Sequence, residues 1–178
     1  MSKQAEKYQS SQKKSSIRIA FPRPMLDSAG FDFSFSGLKT AVLYETKELR
    51  KKLTPKEFKE LIPQICFEFQ EACVDVLSQK TIRAIKQYRP QTVVLAGGVS
   101  ANQRLRQEVE RKIINEFGEN GANKIVYLTP QMQYTADNAT MIAIAGYFRW
   151  QKMSDQEKKN AEQNWKSLQA NAQMKMNG

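Results

Sequence analysis

The order of strand-like and helix-like segments predicts an α/β domain. Two observations carry that prediction. Two short β-forming runs, Thr92–Ala96 and Lys124–Leu128, flank a helical stretch from Ser100 to about Phe117. A crossover of that kind makes the two strands parallel. Ahead of them, Ile62, Ile65, Cys66, Phe69, Cys73, Val76, Leu77 and Ile85 recur at helical spacing and mark one long, largely buried helix. The chain has 178 residues, 40% of them apolar, enough for one domain with a real core.

Taken in order, residues 1–16 are polar and basic and predict a loose segment. "IRIAFPRP" predicts a short strand ended by Pro22 and Pro24. "GFDFSFSG" alternates, with Phe31, Phe33 and Phe35 to one side and Asp32, Ser34 and Ser36 to the other, the pattern of a half-buried strand. Gly37 closes it, and "LKTAVLYETKELRKKL" follows as a helix with Ser36 as its N-cap. Thr54-Pro55 opens the long helix, a cap followed by proline at the first position. Pro63 is expected to break or kink that helix, which ends near Arg89-Pro90. Thr92–Ala96 reads as a buried strand, and "GENGAN" as a turn. After a loop at Thr129–Tyr134, a last core helix is expected from Ala136 to Trp150. Its small residues Ala139, Ala143, Ala145 and Gly146 permit close backbone packing. Residues 17–150 are thus expected as the α/β lobe, and residues 151–178 as a polar tail, either a loosely docked helix or disordered, with Trp165 and Leu168 as its main apolar anchors.

Composition removes several function classes. The chain contains no histidine. Ser-His-Asp and Cys-His catalysis are excluded, and so is a histidine general base. A zinc or iron site built from this chain alone would have to rely on carboxylates and two distant cysteines. Cys66 and Cys73 lie seven residues apart on one helix face, roughly 10 Å along the axis, too far for a disulfide. They read as small core residues in a reducing cytoplasm. No apolar run is long enough for a membrane span. The first sixteen residues lack the apolar core of a secretory signal and match a transit peptide only in part. The net charge of +10 suits a polyanionic partner such as RNA, or reflects no more than a lysine-rich composition.

Three segments could carry chemistry. In "TVVLAGGVSANQRLR", Gly97 and Gly98 fall at the carboxyl end of a strand, where open α/β sheets bind ligands. Without Cβ atoms they allow close approach, and the next helix opens on a capping box, Ser100 with Gln103. Its N-terminus favours an anion, and Asn102 offers a donor and an acceptor for a ribose or base edge. A tight strand–helix turn that needs glycine only for packing would look the same. In "SFSGLKTA", Gly37-Leu38-Lys39-Thr40 approaches the end of a P-loop, but Leu38 intervenes and Gly30 is out of register, so that motif is rejected. In "QYTADNATMIA", Thr135 can cap a helix and Asp137 falls in its first turn. There Asp137 either stabilises the helix dipole or serves as a metal ligand, the latter only with further ligands from elsewhere.

Together "FPRPM…DFSFSGLKTAV", "VVLAGGVSANQRLR" and "YTADNATMIA", in this order and spacing, resemble the C-terminal half of the TsaD family. These are the tRNA threonylcarbamoyladenosine synthases, formerly called Gcp glycoproteases. The resemblance covers Ile17 to Trp150 strongly and the first sixteen residues weakly. It implies one lobe of the actin/Hsp70/sugar-kinase fold, a mixed sheet with flanking helices. It implies transfer of a threonylcarbamoyl group from threonylcarbamoyl-AMP to the exocyclic amine of the adenosine that follows the tRNA anticodon. By the same resemblance Gly97 and Gly98 line the nucleotide site, Asn102 contacts the substrate nucleotide, and Asp137 is a ligand of an iron or zinc ion. Ser36 and Lys39 lie in a family motif without an assigned step. Family enzymes are longer, and their first lobe supplies a His-x-x-x-His metal pair that this chain lacks. The expectation is therefore a C-terminal half that is inactive alone, either split from a separate chain carrying the first lobe or truncated by a gene-model error, and that works with tRNA and with other subunits of the modification complex. The alternative is a non-catalytic nucleotide- or tRNA-binding half-protein, or a relic that does not fold stably.

Overall fold

The computed structural model describes residues 2–10, 16–119, 124–135, 139–164 and 167. The chain divides into two compact units, Met1–Thr135 and Ala136–Gly178.

The first unit is organised around one helix. α1 spans Ser2–Gln9, α2 Ser36–Lys52 and α3 Pro55–Tyr88; β1, Thr92–Val94, is followed by a 3-10 turn at Gly98–Ala101, then α4, Gln103–Phe117, and β2, Val126–Leu128. α3 runs 34 residues. Thr54 caps it with Glu57 in a reciprocal capping box, and Pro55 sits at its first turn, as the sequence predicts. The expected break at Pro63 does not occur: the helix passes through it. The ring removes one backbone donor, but Leu61, Ile62 and Ile65 around it are packed into the core, and tertiary contact outweighs the local cost. The helix stops at Arg89, whose left-handed conformation (φ 47°) closes the last turn ahead of Pro90.

Two apolar clusters line α3. The first gathers Leu38 and Leu49 of α2 with Phe58, Leu61, Ile65 and Ala72 of α3, and with Ile19 and Phe21. The second gathers Val74, Ile82 and Ile85 of α3 with Leu105, Val109 and Ile113 of α4. Each of these valine, leucine, isoleucine and phenylalanine side chains contributes about 1.5–3 kcal/mol on burial. A polar seam reinforces the α3–α4 joint. Arg104 donates to both oxygens of Glu71 at 2.9 and 2.8 Å and to Glu108 at 2.8 Å, and Arg111 donates to Glu108 at 2.6 Å.

The segment before α2 departs from expectation. Neither "IRIAFPRP" nor "GFDFSFSG" forms a strand; both are irregular, the second as far as Phe35, where α2 follows. Their carbonyls bond to side chains of α3 instead of a ladder. Gln64 donates to the Ile17 carbonyl at 2.9 Å. Lys80 donates to Ser28 Oγ at 2.8 Å and to the Asp32 carbonyl at 2.6 Å. Arg83 donates to the carbonyls of Leu26, Ser28 and Gly30 at 2.7–3.0 Å. Arg23, in turn, pairs with Asp75 at 2.8 Å. A backbone satisfied this way needs no strand partner. The phenylalanine alternation survives as ring packing: Phe33 and Phe35 stack at 6.4 Å, and Phe31 meets Tyr88 at 5.7 Å.

The expected loose segment at residues 1–16 is also corrected in part. Ser2–Gln9 is helical and packs on α3, with Ala5 fully buried and the Tyr8 ring 5.3 Å from that of Phe67. A buried small residue and an aromatic contact thus dock a polar helix.

β1 and β2 pair in parallel, Thr92 with Val126, Val93 with Tyr127 and Val94 with Leu128. This is the predicted crossover, but among the described residues the sheet has two strands and is not the mixed sheet expected. Val93 and Tyr127 face the α3–α4 cluster. Val94, Val126 and Leu128 are exposed, so β1 is covered on one face only and is not the buried strand expected.

In the second unit α5 spans Ala139–Lys152 and α6 Asp155–Asn164. α6 opens on a reciprocal box between Ser154 and Glu157. The division after Thr135 places α5, expected as the last core helix of a lobe ending at residue 150, in the second unit. Trp165 and Leu168 lie outside the described residues. No helix among the described residues is long and apolar enough to cross a membrane.

Candidate functional site

The glycine turn stands where the sequence places it, at the carboxyl end of β1. Leu95 still belongs to the ladder, its N–H donating to the Leu128 carbonyl at 3.0 Å. Gly97 then takes φ 83° and ψ 174°, a conformation essentially restricted to glycine, and its carbonyl accepts from Ser100 N at 2.9 Å. Gly98 has no positive φ, and a Cβ at either glycine would meet nothing within 4 Å. The space above the turn is open. Gly97 is thus required by the backbone, whereas nothing within the described residues requires Gly98.

The cap of α4 is a correction. The predicted box of Ser100 and Gln103 does not form. Asn102 is the N-cap, its Oδ1 accepting from Leu105 N at 3.0 Å. Its Nδ2 donates to Gln70 Oε1 of α3 at 3.0 Å. Ser100 turns inward, fully buried, with its hydroxyl unpartnered among the described residues. The helix begins two residues later than the sequence suggests because a 3-10 turn occupies Gly98–Ala101. Both amide atoms of Asn102 are therefore in use. A ligand contact from this residue would keep the cap and exchange the Gln70 bond.

Arg106 was not singled out from the sequence. Its Nε donates to the Ser100 carbonyl, its Nη2 to the Pro130 carbonyl at 2.7 Å, and its Nη1 to Thr129 Oγ1 at 3.4 Å. One guanidinium thus joins the loop after β1 to the loop after β2. One arginine among several on a helix gives no sequence signal for this role. Thr135, expected as a helix cap, donates its hydroxyl backward to the Met132 carbonyl at 2.8 Å.

Ser36 and Lys39 stand in the first turn of α2, both exposed. Ser36 is the first helical residue and not the cap; Phe35 holds the cap position without a side-chain bond. No hydrogen bond or ion pair among the described residues joins either to the glycine turn. Asp137 lies outside the described residues.

The electrostatics sort structural groups from the turn. Glu108, almost buried in the α3–α4 seam, is lowered to about 2, first by the bond from Arg111 and then by Arg104. The thiols of Cys66 and Cys73 are both free and both pushed up by burial, which makes them poor nucleophiles. Among the described residues no three Cys, Asp or Glu side chains come together, and the chain has no histidine. The described residues do not assemble a donor set for iron or zinc.

Parallel α/β proteins bind ligands at the carboxyl ends of their strands, and it is to this class that the crossover and its glycine turn assign the chain. Within it, the chain belongs to the TsaD family. The family model described as "TsaD: tRNA N6-adenosine threonylcarbamoyltransferase" matches residues 1–144. A protein of that name from Thermosipho africanus is 44% identical over 135 residues, which is 76% of this chain and 37% of the relative. Those from Thermosipho melanesiensis and Desulfotalea psychrophila are each 45% identical, covering 76% and 74% of this chain and 37% and 36% of their own lengths. The chain thus spans little more than a third of the curated relatives it matches.

Proposed function

We propose that this chain supplies the nucleotide-facing part of a tRNA N6-adenosine threonylcarbamoyltransferase. The observation that carries the reading is the glycine turn at the end of β1, inside a match to that family over residues 1–144. In this reading the unit Met1–Thr135 is built as part of an actin-like lobe. The donor is threonylcarbamoyl-AMP. The exocyclic amine of adenosine attacks the carbamoyl carbon; a C–N bond forms, the C–O bond to the phosphate breaks, the amine gives up a proton, and AMP leaves with the electron pair. Gly97 and Gly98 let the nucleotide approach the backbone. The positive end of α4 faces the phosphate. Asn102 keeps its Oδ1 on the cap and turns its Nδ2 from Gln70 to the nucleotide. The surplus of positive charge favours tRNA through its phosphates.

Asp137 is the one ligand this chain would give to an iron or zinc ion; the others would come from histidines that its sequence does not contain. Alone, the chain is expected to show no transferase activity. The test is coexpression with the region of the Thermosipho africanus relative that this chain does not match, followed by assay of threonylcarbamoyl transfer to tRNA. Activity that appears only with both parts, and disappears in Gly98→Val, supports the reading. Activity unaffected by Gly98→Val, or none from a folded complex, overturns it.

A further inference from the structure

We propose that Arg106 is a positioning residue that locks the two strand-end loops into one rigid unit, so that the glycine turn keeps its shape only while the loop after β2 is in place. The value of this for a ligand rests on the nucleotide reading given above; the lock itself does not. Three features single out Arg106. Its three bonds reach two loops on either side of α4, to Ser100, Thr129 and Pro130. Two of the three acceptors are backbone carbonyls, so the contact fixes main chain and not only side chains. And it lies outside the seam in which Arg104 and Arg111 share Glu108, so no carboxylate partner competes for it among the described residues. A planar guanidinium with donors in a fixed fork is suited to holding two backbones at a set separation; an ammonium on a flexible stem satisfies one at a time.

The ladder explains why such a lock is needed. β1 and β2 pair over three residues each, and the last ladder bond is Leu95 N to the Leu128 carbonyl. Beyond it the chains diverge, one into Gly97 and the other into Pro130. Gly97 gives the first loop its turn and its freedom together. Past the end of the ladder Arg106 spans the gap with three bonds, beside one long bond from Gln103 Nε2 to Met132 Sδ at 3.5 Å.

The test is residue-level amide exchange on the full chain, with Arg106→Gln, Arg106→Lys and, as a control arginine on the same helix, Arg111→Gln. In Arg106→Gln, residues 97–102 and 131–135 should lose protection together by at least tenfold, while Val109–Ile113 in the middle of α4 stays unchanged. Arg106→Lys should restore part of the protection in one loop, and Arg111→Gln should leave both loops alone. Unchanged protection, loosening of one loop without the other, or uniform loss along α4 would each overturn the lock. AMP titration of the same proteins separates this from the nucleotide reading. AMP binding weakened tenfold or more in Arg106→Gln supports both. Loops that loosen together in a chain that binds no AMP support the lock and remove the nucleotide reading.

Discussion

Two lysines on one helix test whether side-chain bonds from α3 replace a missing ladder. Lys80 is 1% exposed, and its ammonium donates to Ser28 Oγ, the Asp32 carbonyl and, at 3.3 Å, the Gly30 carbonyl. Lys86, six residues later, makes an open ion pair with Glu116 at 2.6 Å, the two side chains 52% and 44% exposed. Lys80→Met keeps the stem volume and removes the donor. The Gly30 carbonyl retains Arg83, but the Asp32 carbonyl and Ser28 Oγ lose a charged donor. Bonds to charged groups contribute about 1.5–3 kcal/mol each, and relief of the buried charge offsets part of that. The net loss should be about 2–3 kcal/mol, with Lys86→Met costing about 0.5 kcal/mol or less. Urea unfolding followed by far-UV circular dichroism measures both. Proteolysis should also open residues 26–35 in Lys80→Met first. Equal, small losses for the two variants would refute the claim that α3 cations organise this segment.

Gly97→Ala should cost about 1–3 kcal/mol of stability because of its positive φ, whereas Gly98→Ala should change stability by less than about 0.5 kcal/mol and act on nucleotide affinity instead. Chemical denaturation beside AMP titration checks the pair. Glu108 is held at about 2, below the ordinary glutamate value, so the stability it brings is present at neutral pH and is lost as pH falls from about 4.5 through about 2. Discounted for the screening of exposed Arg111, this is about 1–2 kcal/mol, and Glu108→Gln should flatten the acid limb of a stability–pH curve by that amount.

The parts legible in the sequence were those set by short-range chemistry. The Thr54-Pro55 start, the stop before Pro90 and the glycine turn each depend on neighbours in the chain, and the parallel crossover follows from the order of its elements. The errors share one cause. Phe31, Phe33 and Phe35 alternate as a strand would, yet whether such a segment joins a ladder depends on what its backbone meets, and here it meets Lys80 and Arg83 across some fifty residues of sequence. Ser100 and Asn102 are both competent caps. The choice fell to Asn102 because Gln70 of α3 accepts from its other amide atom. Arg106 was invisible for the same reason: its partners are backbone carbonyls, which carry no signature in the sequence.

The most direct test of the account is an NMR titration of the uniformly 15N-labelled chain with AMP. The account predicts saturable shifts centred on Gly97, Gly98 and the Asn102 side-chain amide, abolished in Gly98→Val. Saturable shifts centred elsewhere, for instance on the cleft beside Lys86, Arg89 and Lys124 at the opposite ends of the strands, or no shifts at millimolar AMP, would contradict it.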